Sequence, residues 1–319
     1  MKILVTGGAG FLGSRLIEAL LAPAANDLLP GLSRILSVDL APCPLQDPRV
    51  ESRIGDIADP AFITPLIDAD TAIVYHLAAV VSGQAEADFD LGMRVNLDAT
   101  RVLLEACRQQ GHAPKLVFAS SLAVFGGELP AVVPENLAPL PQSSYGAQKA
   151  MAELLINDYS RKGFIDGRVC RLPTISVRPG LPNAAASSFA SGIIREPLAG
   201  EPSNCPVPLD TRLWLSSPDC VIANLVQAAR LDGQALGLRR TLNLPGISVQ
   251  VRQMLASLER LGGAAARALV GHEPDPRVER IVCSWPGDFD IQRPLQLGFA
   301  VDPDFDAIVA AHQRFQAAQ

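Results

Sequence analysis

Five β-prone residues, Lys2-Ile3-Leu4-Val5-Thr6, run directly into Gly7-Gly8-Ala9-Gly10-Phe11-Leu12-Gly13, and a helical pattern follows. In that pattern Leu12, Leu16, Leu20 and Leu21 share one face, while Arg15 and Glu18 fall off it. A strand, a glycine turn and a helix in this order form the phosphate-binding opening of a dinucleotide fold. Glycines let the backbone approach a pyrophosphate, and the helix N-terminus offers free N–H groups and the positive end of its dipole. Two registers fit, Gly8-x-Gly10-x-x-Gly13 and Gly7-x-x-Gly10-x-x-Gly13. A glycine triplet alone marks only a turn; the strand before it and the helix after it point to the dinucleotide reading.

The pattern repeats along the first half. A second strand over 34–40 reaches Asp39, whose carboxylate can accept from both ribose hydroxyls and repel a 2′-phosphate. No arginine follows it in Leu40-Ala41-Pro42, so NAD is expected over NADP; the alternative is a strand-end turn aspartate. Asp39 stands farther from Gly13 than the usual ~20 residues, and Pro23 to Gly31 reads as the loop insertion responsible. Gly55-Asp56-Ile57 is expected to end a third strand, with Asp59-Pro60 starting the helix behind it. Asp56 reads either as an acceptor for an adenine amino group or as a turn residue.

A fourth strand over 71–77 leads from Leu77 into Ala78-Ala79, small residues that leave room for a ribose and phosphates; His76 within it reads as structural. A helix over about 90–110 and a fifth strand, Lys115 to Ala119 followed by Ser120-Ser121, complete the series. The alternation predicts an α/β fold with a Rossmann-type doubly wound parallel sheet. Residues 1–173 are expected to form the NAD-binding domain. Residues 174–319 are expected to be mainly a substrate-binding lid, with returning elements that complete the sheet.

Composition narrows the classes. The chain is 48% hydrophobic, yet it has no apolar run of about 18 residues to place in a membrane. The N-terminal apolar stretch breaks at Gly7 before it could act as a signal peptide. A net charge of −6 with no basic run argues against nucleic acid as a partner. The six cysteines are scattered without a Cys-x-x-Cys pair and read as reduced thiols in a cytoplasmic protein; the four dispersed histidines offer no metal cage.

The chemistry is carried by Tyr145-Gly146-Ala147-Gln148-Lys149 at the start of an amphipathic helix. Tyr145 and Lys149, one turn apart, share a helical face. A phenol is a poor base at neutral pH, and a neighbouring ammonium is expected to lower its pKa towards the working range. Lys149 can also reach a nicotinamide ribose, and Ser121 at the fifth strand tip can hold a substrate oxygen between itself and Tyr145.

Together these pieces resemble the extended short-chain dehydrogenases, the NAD-dependent epimerase/dehydratase group. The matching segments are Thr6 to Gly13, Gly55-Asp56-Ile57, His76 to Ala79, Arg94-Val95-Asn96, Phe118 to Gly126, Tyr145 to Lys149 and the late Leu297-Gly298-Phe299. The resemblance covers nearly the whole chain. It implies that Tyr145 is the acid/base, Lys149 its electrostatic partner, Ser121 the substrate-oxygen ligand, and Asn96 a structural and cofactor-side residue. The cofactor set it implies is Gly7, Gly10, Phe11, Leu12, Gly13, Asp39, Asp56, Ile57, Leu77, Ala78, Ala79, Asn96, Tyr145, Lys149 and Pro173. It also implies a homodimer through the helices at about 90–110 and 145–162.

Departures from the group narrow the reaction. Where its 4,6-dehydratases carry an acidic pair after the serine, this chain has Leu122-Ala123, which argues against water elimination. Arg171-Leu172-Pro173-Thr174 replaces the Arg-x-x-Asn run of nucleotide-sugar epimerases, which weakens the case for a nucleotide diphosphate substrate. A small hydroxy acid needs a carboxylate anchor, and a guanidinium provides a bidentate one. Arg212, before Trp214-Leu215-Ser216, is the first candidate and Arg178 the second; either can equally be a surface or paired arginine. Ser82 is a candidate for a substrate hydroxyl. The stretches around Arg178 and Trp214 resemble most the branch that oxidises the C2 hydroxyl of a small sugar acid, D-erythronate, to its 2-dehydro product. The alternatives are a nucleotide-sugar epimerase, a uronate dehydrogenase-like enzyme, or a non-catalytic dinucleotide sensor.

Overall fold

The computed structural model describes residues 1–22, 30–180 and 185–317, so most of the expected insertion at 23–31 lies outside the described residues. Twelve strands follow in chain order: β1 (Lys2–Thr6), β2 (Arg34–Asp39), β3 (Val50–Ile54), β4 (Thr71–His76), β5 (Lys115–Ser121), β6 (Asp166–Leu172), β7 (Thr174–Ile175), β8 (Ser203–Asn204), β9 (Arg212–Ser216), β10 (Thr241–Asn243), β11 (Ile247–Gln250) and β12 (Val270–Gly271). The longer helices are α1 (Phe11–Leu21), α2 (Ala99–Gln110), α3 (Ser144–Arg161), α4 (Phe189–Leu198), α5 (Pro218–Arg230), α6 (Val251–Ala268) and α7 (Phe305–Ala317).

Seven strands form one sheet in the order β10-β6-β5-β4-β1-β2-β3, and every pairing in it is parallel. Buried on both faces, its central strands read as near-continuous apolar runs, as in Ile3-Leu4-Val5 and Leu116-Val117-Phe118, all fully buried. This is where the high hydrophobic content goes. The chain leaves β1 towards β2 and β3 on one side and returns through β4 to β5 and β6 on the other. The crevice outside the carboxyl ends of β1 and β4 is therefore the topological switch point, where open α/β sheets bind their ligands.

Two sequence expectations shift. The third strand stops at Ile54, so Gly55-Asp56-Ile57 is loop at the crevice rather than strand. The helix expected over 90–110 is three consecutive pieces: Phe89–Gly92, a wider π-turn over Met93–Asp98, and α2. The π-turn carries Arg94 and Asn96.

Beyond β6 the chain builds a second apolar cluster from α4, α6 and α7 with β9, including Ile193, Leu215, Met254 and Val309. It also sends elements back to the large sheet. Helix α5 buries Val221 and Leu225 in the sheet's core, and β10 pairs with β6. Fully buried Arg168 on β6 ties α5 down by donating to the carbonyls of Ala228 (3.0 Å) and Leu231 (2.6 Å). Among the described residues no helix is long and apolar enough to cross a membrane, and no group of three potential ligands could hold a metal ion.

Candidate active site

At the switch point the glycine turn is packed too tightly for side chains. A Cβ on Gly13 would stand 2.0 Å from the Gly7 carbonyl oxygen, so the first turn of α1 lies directly on the loop. Helix α1 begins after Gly10 with no side-chain cap, which leaves its N-terminal N–H groups available to an anion. Gly7, Gly10 and Gly13 line a cavity of about 540 Å³, whereas Gly8 is buried against Ser37. The register that faces the cavity is therefore Gly7-x-x-Gly10-x-x-Gly13.

Phe11, Leu12, Asp39, Asp56, Ile57, Leu77, Ala78 and Ala79 line the same cavity. Asp39 braces the turn from the tip of β2: its Oδ2 accepts the Ala9 N–H (3.0 Å) and its Oδ1 the Leu40 N–H (2.7 Å). Asp56 accepts the Ala58 N–H and pairs with Arg94, and these contacts hold its carboxyl below the usual range. Asn96 does not line the cavity. It is buried, takes the Val80 N–H on Oδ1 (2.8 Å), and donates through Nδ2 to the Val80 carbonyl and to Gln148 Oε1 (2.8 Å). It thus fastens the loop after β4 to α3. This cavity, with a bare helix N-terminus at one wall and a carboxylate at the β2 tip, fits a dinucleotide.

Ser121 ends β5, and Ser143 caps α3 by accepting the Gly146 N–H (3.2 Å). A Cβ on Gly146 would stand 2.1 Å from the Ala123 carbonyl oxygen, so this glycine lets the start of α3 press onto the turn after Ser121. That contact brings Tyr145 within hydrogen-bonding reach of Ser121. Lys149 is fully buried; its Nζ donates to the Ala119 carbonyl (2.9 Å) and sits 4.5 Å over the Phe118 ring and 5.7 Å from the Tyr145 ring centre.

The pKa of Tyr145 departs from the expected direction. Burial pushes it up to about 12, and the Ser121 hydrogen bond only partly opposes this. Burial also pushes Lys149 down to about 7, against the pull of Glu153 one turn further along α3. An ammonium committed to the Ala119 carbonyl, and costly to keep charged, stabilises the phenolate too little to offset desolvation. His76 bridges Thr6 Oγ1 (2.7 Å) and Thr100 Oγ1 (2.9 Å), and burial holds it down to about 3, in keeping with a structural role.

Tyr145, Lys149, Ser121, Ser82, Pro173 and Arg178 all line a second, smaller cavity of about 230 Å³. Leu12, Leu77, Ala79 and Arg178 line both cavities, so the two meet there. Pro173 belongs to the smaller cavity and not to the larger. Ser82 is buried and accepts the Ala186 N–H (3.4 Å). Arg178 is partly buried with no carboxylate partner among the described residues; burial and the neighbouring Arg195 both lower its pKa.

Arg212, the first-ranked anchor, is a correction. It stands exposed at the open end of β9, its stem against Gly287 and its guanidinium donating to Ser248 Oγ (3.2 Å), and it lines neither cavity. Two residues further along the same face of that strand, Trp214 is buried with its indole N–H on the Leu244 carbonyl (3.3 Å). Trp285, Thr174 and Ser187 also line the smaller cavity and were missed. They come from the second half of the chain, where no local motif marks them.

The chain matches the NAD dependent epimerase/dehydratase family over residues 3–235. It is 55% identical over 316 residues (98% of each chain) to a D-erythronate dehydrogenase of Cupriavidus necator. It is 48% identical over 312 residues to one of Haemophilus influenzae, covering 97% of this chain and 98% of that one. Among solved structures, a nucleoside-diphosphate-sugar epimerase from Agrobacterium tumefaciens superposes with a TM-score of 0.92 at 39% identity, over 100% of this chain and 95% of that one. The chain belongs to the NAD dependent epimerase/dehydratase family.

Proposed function

We propose that this chain oxidises the C2 hydroxyl of D-erythronate to 2-dehydro-D-erythronate with NAD. The observation that carries this reading is the small cavity, which Ser121, Tyr145 and Lys149 line together with Arg178, an arginine with no acidic partner among the described residues. At about 230 Å³ it lies below the roughly 300–1,000 Å³ of sites for larger ligands, and it suits a compact anion better than a nucleotide sugar. Both D-erythronate dehydrogenase relatives match end to end at higher identity than the epimerase.

Bound NAD supplies the hydride acceptor; its pyrophosphate belongs on Gly7, Gly10 and the N-terminus of α1, and its adenosine ribose on Asp39. Arg178 pairs with the substrate carboxylate and turns C2 towards the junction of the two cavities. Ser121 donates to the C2 oxygen. Tyr145 as phenolate takes the hydroxyl proton as the C2 hydride leaves, and the neighbouring Lys149 ammonium lowers the cost of that phenolate. Ser82 binds a further hydroxyl.

We further read residues 1–173 as the cofactor domain and 174–319 as the lid with its returning α5 and β10. The protein is cytoplasmic in this reading. It pairs as a homodimer through the face of α2 and α3, which leaves Leu154 (71% exposed), Phe89 and Met151 open. The test is NADH formation with D-erythronate, together with Arg178→Ala. Stoichiometric NADH that fades through a raised KM in the variant supports the reading. Absence of NADH with D-erythronate and with a panel of aldonates and uronates refutes it.

A further inference from the structure

Trp285 occupies the part of the small cavity that the cofactor crevice does not share, whereas Arg178 lines both. Its ring packs at once against two apolar clusters. One is the lid's own core around Val282 and Leu213; the other is the cluster beneath the catalytic turn, with Leu122, Val124 and Phe289. Its backbone is held by the Val282 carbonyl (3.1 Å). A ring wedged between two clusters is a fixed wall, because moving it would open gaps in both. Its indole N–H has no acceptor among the described residues, unlike Trp214, whose N–H is spent on the Leu244 carbonyl. Trp285 is only partly buried, so this donor is open to a bound molecule, and a ligand hydroxyl is the acceptor it lacks.

We propose that Trp285 sets the chain length of the acid this enzyme accepts. Its ring walls the part of the cavity that the cofactor crevice does not share, and its N–H binds the terminal hydroxyl of a four-carbon acid. This rests on the sugar-acid reading above and deepens it. With the carboxylate on Arg178 and C2 at Tyr145, an acid two carbons longer runs into the indole. A shorter acid leaves the N–H unanswered, and buried polar groups left unpaired discriminate strongly.

The experiment compares kcat/KM for D-erythronate and for the six-carbon D-gluconate in wild type, Trp285→Ala and Trp285→Phe, with NAD affinity measured by calorimetry. Trp285→Ala should raise the gluconate-to-erythronate ratio by about tenfold or more, at unchanged NAD affinity. Trp285→Phe keeps a wall but loses the donor, so it should lower kcat/KM for D-erythronate by about tenfold while still excluding D-gluconate. Equal changes for both substrates in each variant overturn the assignment and leave a merely structural tryptophan. Should the alanine variant not fold, an unaltered D-erythronate kcat/KM in Trp285→Phe overturns it alone. No NADH with either acid in wild type instead removes the sugar-acid reading itself, and the assignment with it.

Discussion

Glu153 sits one helical turn beyond Lys149, and its removal should damage the protein out of proportion to its distance from solvent or substrate. Glu153 and Arg171 have side chains only 4% and 5% exposed. Arg171 donates through Nε to both carboxylate oxygens (3.0 and 3.1 Å) and through Nη2 to Oε2 (2.6 Å); Ser120 Oγ adds a bond to Oε1 (2.5 Å). Ser120 lies between Ala119, whose carbonyl receives Lys149, and Ser121, so one carboxylate ties α3 to the catalytic end of β5. Glu153→Gln keeps the shape but leaves the Arg171 guanidinium buried without a countercharge, a loss of about 3–5 kcal/mol. That is a large part of a total stability on the order of 5–15 kcal/mol. Replacing both partners, Glu153→Leu with Arg171→Met, removes the stranded charge and should cost much less than the sum of the single changes. Urea unfolding of the four proteins, followed by circular dichroism at constant m-value, measures this cycle. Single losses below about 1 kcal/mol, or a double variant equal to the sum, would refute the claim that the pair is held by its buried charges. Glu153→Gln should also move the alkaline limb of the kcat/KM profile to lower pH, because Glu153 raises the pKa of Lys149 against burial and Lys149 acts as the ammonium.

Burial lowers His76 from 6.5 to about 3, so the unfolded chain takes up its proton first as pH falls. Its contribution is whole above 6.5 and is lost progressively towards 3, amounting to at most about 5 kcal/mol. Urea midpoints between pH 7 and 4 should therefore drop more steeply in wild type than in His76→Gln, and parallel slopes would sink this account. Asp39→Ala removes the carboxylate that braces Ala9 and lines the larger cavity, where the proposal puts the cofactor's ribose. The NAD-to-NADP ratio of kcat/KM should fall by about tenfold or more, and an unmoved ratio would show that Asp39 is only a turn residue.

The cofactor half was legible in the sequence because its constraints are local. Gly13 must lack a Cβ where α1 meets Gly7, Asp39 must end β2, and Tyr145 and Lys149 must share a turn; each demand is met within a few residues of chain. The lid was not legible, because its contacts join distant segments. Arg212 and Trp214 share a face two residues apart on one strand, yet Trp214 is buried whereas Arg212, its stem against Gly287, is exposed at the strand's start. Trp285 and Tyr145 line one cavity across a sequence separation that no periodicity records. The Tyr145 pKa was misjudged for a related reason. Spacing reveals a neighbouring ammonium, but it does not reveal that Lys149 is fully buried and its Nζ bound to the Ala119 carbonyl.

The distribution of charge explains how a chain of net charge −6 can take an anionic substrate. Its acids lie mainly on the surface, where interactions fade over about 8–10 Å at ordinary salt. Inside, the signs are sorted. Asp39 and Asp56 stand at the adenosine end of the larger cavity, and Asp56 is answered by Arg94. Glu153 stands behind Lys149 and is answered by Arg171. At the junction of the two cavities Arg178 has no such answer among the described residues, and Arg195 beside it, paired with Glu196, adds repulsion rather than relief. A desolvated cation is stable only when something supplies its counterion. In the proposed reading the substrate carboxylate does so, which makes acid binding at this point a completion of the fold's own electrostatics.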